Sequence, residues 1–308
     1  MKKVVTLTLN PTIDKSSAVD NVSSEIKLRC DPPRYDPGGG GINVSRALHK
    51  VGGDSTAIYS AGGGPGNMLT QLLTDEGIRC EPVLIEGMTR ENMTIFERQS
   101  GLQFRFGMPG PMMSAADWTR CTDAILAQNA DYVVASGSLA PGIPDDYYAI
   151  LTEKVRAQGG KVIIDSSGAA LEAMRGAQAF LLKPNLYELE ILSGEKFQGE
   201  DQLKAVSQRL IADGMAEVLV ISMGAQGAMF VTADAFLQMR PPVVPIRSKV
   251  GAGDSMVGGI MYGLAQNRSL MDAVRYGIAA GTAAVMTDGT QLCRKDDVEM
   301  IYERVAIT

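Results

Sequence analysis

The chain has 308 residues, 45% of them hydrophobic, and a net charge of −6, which allows one large domain or two ordinary ones with a sizeable core and excludes a disordered chain. No long basic run is present and no apolar stretch approaches membrane-spanning length, so neither nucleic acid nor a membrane is expected as a partner. The widely spaced Cys30, Cys80, Cys121 and Cys293 and a single histidine, His49, leave no zinc cluster, thioredoxin motif or multi-histidine site, and with no signal-peptide pattern the expectation is a cytoplasmic protein with reduced thiols.

Residues 4–9 read as a strand closed by Asn10-Pro11. Residues 12–34 are mixed and polar and carry Asp14, Lys27 and Arg29. Asp36-Pro37 and the run Gly38-Gly39-Gly40-Gly41 break regular structure; a helical period over 42–51, holding Asn43 and His49, stops at Gly52-Gly53. A strand at 56–60 and a helix at 67–76 follow, with Gly77 as the residue just past its end. Residues 83–85, 93–97 and 103–106 are short strands with no helices between them. With residues near 12–35 they predict a small antiparallel sheet, built from segments at about 12–35 and 88–108, that lies over a site as a lid.

From residue 114 the alternation is regular. Helices are expected at 115–127, 145–157, 186–192 and 202–212, and strands at 132–135, 161–164, 179–182 and 218–221. Strand-like pieces run to 246, and two long helices reach 286. This order predicts a single domain over 1–308 with a doubly wound, mostly parallel α/β sheet flanked by helices, its ligands beyond the carboxyl ends of the strands.

The chemistry centres on Val250-Gly251-Ala252-Gly253-Asp254-Ser255, after which a helical pattern begins. Glycines let backbone N–H groups approach a ligand, and a helix starting there aims its unpaired donors and positive dipole end at the same point. An anion fits above such a turn with Asp254 at its edge, the arrangement phosphoryl transfer needs: donors on the transferring group and a carboxylate to take a hydroxyl proton. The competing reading is a tight turn with Asp254 as helix N-cap. Asn185 and Glu188, in Lys183-Pro184-Asn185-Leu186-Tyr187-Glu188, share one face of a helix start; they suit Mg²⁺ through water or a reciprocal capping pair, and both roles are compatible. Ser222-Met223-Gly224-Ala225-Gln226-Gly227 is a turn that fits a nucleotide or a plain hairpin, and no Walker-type phosphate loop exists. The four-glycine run and Asn43 offer donors suited to sugar hydroxyls. Arg29, Arg90 and Arg105 fall in the expected lid, where a phosphate grip competes with ordinary surface exposure.

Gly38-Gly39-Gly40-Gly41-Ile42-Asn43, Lys183-Pro184-Asn185-Leu186-Tyr187-Glu188 and Gly251-Ala252-Gly253-Asp254, in that order, resemble the ribokinase-like carbohydrate kinases over essentially the whole chain. Thr6-Leu7-Thr8-Leu9-Asn10-Pro11-Thr12-Ile13-Asp14 and Ser136-Gly137-Ser138-Leu139 resemble the phosphofructokinase branch. Lys27-Leu28-Arg29-Cys30, Gln103-Phe104-Arg105-Phe106 and Gly289-Thr290-Gln291-Leu292-Cys293 are similar to its bacterial 6-phosphofructokinase members.

The resemblance implies Asp254 as general base and an anion hole from Gly251, Ala252 and Gly253. It implies Asp14, Gly39, Gly40 and Asn43 on sugar hydroxyls with Ser138 nearby, and Arg29, Arg90 and Arg105 on the substrate's phosphate. Lys183, Asn185, Ser222, Gly224 and Gly227 would line the ATP site, Glu188 would organise Mg²⁺, and Lys27 would reach ATP from the neighbouring subunit of a homodimer joined through the lid. A monovalent cation such as K⁺ would take Ser248, Val250, Ala284, Gly289 and Gln291. Lys249 stands where the family commonly has Thr, Ala140 replaces the usual proline after Ser138-Leu139, and Gln291 stands where the bacterial 6-phosphofructokinase members it resembles have Arg. The expected reaction is ATP-dependent conversion of fructose 6-phosphate to fructose 1,6-bisphosphate. The alternatives are a kinase acting on fructose 1-phosphate or tagatose 6-phosphate and, from another class, a non-catalytic sugar-phosphate binder.

Overall fold

Apolar runs such as Val4-Val5 and Val162-Ile163-Ile164 are buried throughout, as strands covered on both faces must be. In the computed structural model, which describes residues 2–308, β1 (Val4–Thr8), β2 (Thr12–Val19) and β3 (Arg34–Gly38) lead into α1 (Gly40–Lys50), β4 (Thr56–Ala61), α2 (Gly63–Asp75), β5 (Arg79–Leu84), β6 (Arg90–Glu97) and β7 (Gln103–Phe106). Then come α3 (Ala115–Ala127), β8 (Tyr132–Ser136), α4 (Tyr147–Ala157), β9 (Lys161–Asp165), α5 (Ala169–Glu172), β10 (Ala179–Leu182), α6 (Leu186–Ser193), α7 (Glu200–Ala212) and β11 (Ala216–Ser222). The chain closes with β12 (Ala228–Val231), β13 (Phe236–Arg240), α8 (Ala252–Ala265), α9 (Leu270–Ala284), α10 (Lys295–Tyr302) and β14 (Ala306–Ile307).

A ten-stranded sheet runs in the order β14-β13-β12-β11-β10-β9-β8-β1-β4-β5, and a four-stranded sheet in the order β3-β2-β6-β7. From β11 to β5 every neighbouring pair is parallel, while β12, β13 and β14 form an antiparallel margin. This is the expected doubly wound architecture. One core layer packs α3, α4, α6 and α7 on one face through residues such as Cys121, Leu151, Leu189 and Leu210. The other packs α1, α8, α9 and α10 on the opposite face through Val44, Val257, Tyr276 and Val298.

Glycines set the spacing in the second layer. A Cβ on Gly258 of α8 would lie 2.8 Å from Ala47 Cβ and 3.1 Å from the Val44 carbonyl of α1, and one on Gly259 would lie 2.7 Å from Ala280 Cβ of α9. The three helices therefore approach backbone to backbone, which fixes the position of the first turn of α8 relative to α1.

The structure corrects several expectations. Residues 83–85 do not join the small sheet: β5 is the parallel edge of the large one. Nor is the small sheet purely antiparallel. β2 and β6 pair in parallel over Thr12–Val19, because the intervening α1, β4, α2 and β5 form the long crossover that a parallel pair requires. α1 begins inside the glycine run expected to break regular structure, and α2 begins at Gly63 rather than at residue 67; Pro65 sits in the first turn of α2, where its missing N–H costs nothing. No strand forms at 241–246, where three prolines remove ladder donors. The short α5, α10 and β14 were not anticipated. Among the described residues no helix is long and apolar enough to cross a membrane.

Candidate active site

Gly251 adopts φ 73° and begins α8 without any side-chain cap. This left-handed conformation is cheap only for glycine, and a Cβ there would also lie 2.4 Å from Leu292 Cδ2. Among the described residues the N–H groups of Gly251, Ala252 and Gly253 meet no protein acceptor. The capping alternative for Asp254 is therefore excluded. Its carboxylate lies in the first turn and accepts a 2.9 Å hydrogen bond at Oδ2 from Asn43 Nδ2 of α1.

Burial pushes the Asp254 carboxyl up to about 7, and the like charge of Asp165 pushes the same way; the Asn43 hydrogen bond, Lys183 and Arg46 oppose it. Lys183, only 6% exposed, places Nζ 3.0 Å from Asp165 Oδ1 and 3.3 Å from where a Cβ on Gly253 would be. Burial works against its ammonium, but the Asp165 charge and hydrogen bond, with Asp254 and Glu188 behind them, hold its pKa above the ordinary lysine value. A cation thus sits beside the unpaired donors of α8.

The second group surrounds Asp14 on β2. Its Oδ1 accepts from Asn92 Nδ2 at 3.2 Å, and burial raises its carboxyl pKa. A Cβ on Gly38 would lie 2.4 Å from Asp14 Oδ2, one on Gly40 2.3 Å from Ser136 Oγ, and Gly39 has φ 119°. The glycine run is therefore threaded between the Asp14 carboxylate and the end of β8. Ser138, in the loop after β8, accepts from Asn10 Nδ2 at 3.2 Å.

Arg105 pairs with Thr94, and Thr94 with Ser16, so Arg105 projects from the same sheet face as Asp14 and Asn92. Arg90 is less free than expected: Nη2 donates to the Asn10 carbonyl at 2.9 Å and Nη1 to that of Met108 at 3.1 Å, leaving a buried Nε without a partner. A cleft of about 1140 Å³ separates the small sheet from the loops around Val250 and Gly289, with Asp14, Asn92, Arg105, Arg247 and Lys249 on its walls.

The third group lies at the ends of β10 and β11. Asn185 and Glu188 form the reciprocal capping pair, each bond 2.8 Å; it occupies Oε2 of Glu188 and leaves Oε1 without a protein partner among the described residues. Asn185 bridges to Ser222. Gly224 opens a 3₁₀ turn between β11 and β12 at φ 60°. A Cβ on Gly227 would lie 2.0 Å from the Met239 carbonyl, so packing alone requires that glycine. Lys27 and Arg29 are exposed on the segment between β2 and β3.

The loops expected to hold a monovalent cation are stitched together: Ser248 Oγ donates to the Gly289 carbonyl at 3.3 Å, and Val250 N donates to Ser248 Oγ at 3.1 Å. The Ala284 carbonyl already accepts from Thr287 Oγ1 at 2.9 Å and Thr287 N at 3.2 Å, so a cation there competes with that hydroxyl. Gln291 N donates to the Asp288 carbonyl at 3.2 Å.

Sequence reasoning missed Asp165, Asn92 and Arg46. Asp165 stands at a strand end, a position that does carry a signal in a parallel sheet. The other two are identified only by whom they touch.

The two core layers, the carboxyl-end cluster and the small sheet beside it define a ribokinase-like sugar kinase. The pfkB family carbohydrate kinase profile matches residues 2–297, and the chain belongs to that family. Within it, the chain is an ATP-dependent 6-phosphofructokinase-like kinase. It is 42% identical over 306 residues to ATP-dependent 6-phosphofructokinase isozyme 2 of Mycobacterium tuberculosis, covering 99% of this chain and 90% of that one. Phosphofructokinase-2 from Escherichia coli in complex with potassium matches with a TM-score of 0.94 at 40% identity over 99% of each chain. The same enzyme in complex with fructose-6-phosphate gives 0.92 at 38% identity, again over 99% of each.

Proposed function

We propose that the protein transfers the γ-phosphoryl group of ATP to the 1-hydroxyl of fructose 6-phosphate, with Asp254 as general base. One juxtaposition carries the reading: a carboxylate with a pKa of about 7 stands in the first turn of a helix whose leading N–H groups have no acceptor among the described residues. A base with that pKa is ionised often enough at neutral pH and still binds a proton well in the transition state.

In the proposed reaction Asp254 takes the hydroxyl proton and the sugar oxygen attacks the γ-phosphorus, with ADP leaving. The N–H groups of Gly251, Ala252 and Gly253 stabilise charge on the transferring oxygens, as does Lys183. Asn43 holds the carboxylate in place. Asp14, Gly39, Gly40 and Asn43 would bind sugar hydroxyls with Ser138 close by, while Arg105, Arg29 and the spare Nε of Arg90 would meet the substrate's phosphate.

The nucleotide would lie along Lys183, Asn185, Ser222, Gly224 and Gly227. Mg²⁺ fits the free oxygen of Glu188 through water and would neutralise charge on the phosphates. A monovalent cation would draw on Ser248, Val250, Gly289 and Gln291.

The small sheet serves in this reading as a lid and as the seat of a homodimer. Its face opposite Asp14 exposes Met93 and Phe106, 38% and 49% accessible, and a second copy of the chain would cover them and bring Lys27 toward the neighbour's ATP. The test is turnover of a sugar-phosphate panel with Mg-ATP. Fructose 6-phosphate is expected to be preferred; negligible turnover of it beside rapid turnover of fructose 1-phosphate or tagatose 6-phosphate would overturn the substrate, and no turnover of any would overturn the kinase.

A further inference from the structure

We propose that Arg46 is a positioning residue: it fixes which end of the Asn43 amide faces Asp254 and thereby holds the base in place. The proposal rests on the reading of Asp254 as base. Arg46 lies three residues after Asn43 on α1, so the two share a helix face, and it is 3% exposed. Its Nε and Nη2 grip both Glu76 oxygens at 2.7 Å, and Nη1 reaches Asn43 Oδ1 at 3.2 Å and the Pro37 carbonyl at 3.1 Å.

A guanidinium donates hydrogen bonds and never accepts them. Only the oxygen of the Asn43 amide can therefore face Arg46, which leaves the NH₂ to face Asp254 Oδ2. Reversing the amide would set oxygen against carboxylate and NH₂ against guanidinium, replacing two bonds with two repulsions.

Glu76, the residue after α2, keeps the fork from turning. The bond to Pro37 ties the same guanidinium to β3, whose Asp36 pairs with Asp14 in the small sheet. Arg46 is thus linked to both the proposed sugar-binding strand pair and the base. A lysine carries the charge but cannot reach three acceptors from a planar fork. If Arg46 merely tied α1 to α2, its loss would cost stability whatever occupied position 43.

A double-mutant cycle separates the two roles. kcat, KM for both substrates and Tm are measured for wild type, Arg46→Gln, Asn43→Ala and the double variant. Arg46→Gln is expected to lower kcat ~10-fold with KM for Mg-ATP nearly unchanged, and to cost little further once residue 43 is Ala. The same proportional loss in both backgrounds overturns the proposal. Should Arg46→Gln fail to fold, Glu76→Gln, at a partly exposed position, takes its place in the cycle, with a smaller loss of ~3-fold expected only when Asn43 is present. Asp254→Asn is assayed alongside. If it keeps its turnover, the base reading fails; if it is inactive while the cycle is additive, only the role of Arg46 fails.

Discussion

The long helices α1 and α8, like the one-turn α5, begin at glycines with positive φ, Gly39 for α1 and Gly251 for α8, and none of the three has a side-chain cap from its N-cap residue; α1 and α8 are the pair that meets at Asp254. Their surroundings differ. Around the start of α1 stand hydroxyls and a carboxylate: Thr8 Oγ1 accepts from Ile42 N at 2.8 Å, Ser136 Oγ closes on Gly40, and Asp14 closes on Gly38. Around the start of α8 stand N–H groups that meet no acceptor among the described residues and the buried ammonium of Lys183. In the proposed reaction the first would take neutral hydroxyls and the second an anion. They meet at one hydrogen bond, Asn43 to Asp254. The same glycine signature thus opens onto two chemically different surroundings, and the neighbouring side chains make the difference.

The strongest way to break this division is Asp254→Asn. Turnover is expected to fall ~10³-fold or more, with sugar-phosphate binding kept, because a base acts on the chemical step; isothermal titration beside steady-state kinetics reads both. The same variant should be more stable than wild type at pH 8. The folded carboxyl titrates near 7 against an ordinary 3.8, so below 3.8 both states are protonated and nothing is lost. The cost of the buried charge grows as pH rises from 3.8 and is full above 7. Its removal should therefore stabilise by on the order of 2–4 kcal/mol at pH 8 and very little at pH 3.5, as urea unfolding would show. In wild type, kcat/KM should fall about tenfold per pH unit below 7 as Asp254 takes up a proton. A flat profile down to pH 5 would contradict the assignment.

Next in size is a substitution that moves one helix against the other. Gly258→Ala places a Cβ 2.8 Å from Ala47 Cβ and 3.1 Å from the Val44 carbonyl, one turn below the Asn43–Asp254 contact. Overpacking of this kind costs about 1–3 kcal/mol. Because the carboxylate must move with α8, kcat should drop ~10-fold. A stability loss with kcat intact would mean that the alignment of the two helices does not matter to the chemistry.

How much of this could be read in advance follows from the range of each interaction. The alternation of elements and the three motifs are local patterns, and the large sheet follows from them. The partner of Asp254, by contrast, is 211 residues away and that of Asp14 is 78 away, and no local spacing selects them. The parallel register of β2 on β6 is set by a crossover, not by a turn, so the small sheet was expected antiparallel. Gly251-Ala252-Gly253-Asp254 taken alone favours a capped turn because the sequence does not show which residue takes the left-handed conformation; once Gly251 does, Asp254 falls in the first turn and its side chain is free for Asn43. For Glu188 the two readings were never exclusive, since a carboxylate has two oxygens and the capping pair uses one.

The smallest effect tests the hydroxyl-lined side of the comparison. Thr8→Val keeps the shape of a side chain that is 2% exposed but removes the oxygen that, among the described residues, accepts from Ile42 N. An orphaned buried donor costs about 1–2 kcal/mol, a drop of a few degrees in Tm for a chain of this size. Thr8 lies behind the glycine run rather than at the anion-binding mouth, so kcat should stay within about twofold of wild type, a change too small to count as transition-state stabilisation. If kcat instead fell as far as in Gly258→Ala, the start of α1 would be as finely tuned to the reacting groups as the start of α8, and the two mouths would no longer divide into one that holds the acceptor and one that holds the charge.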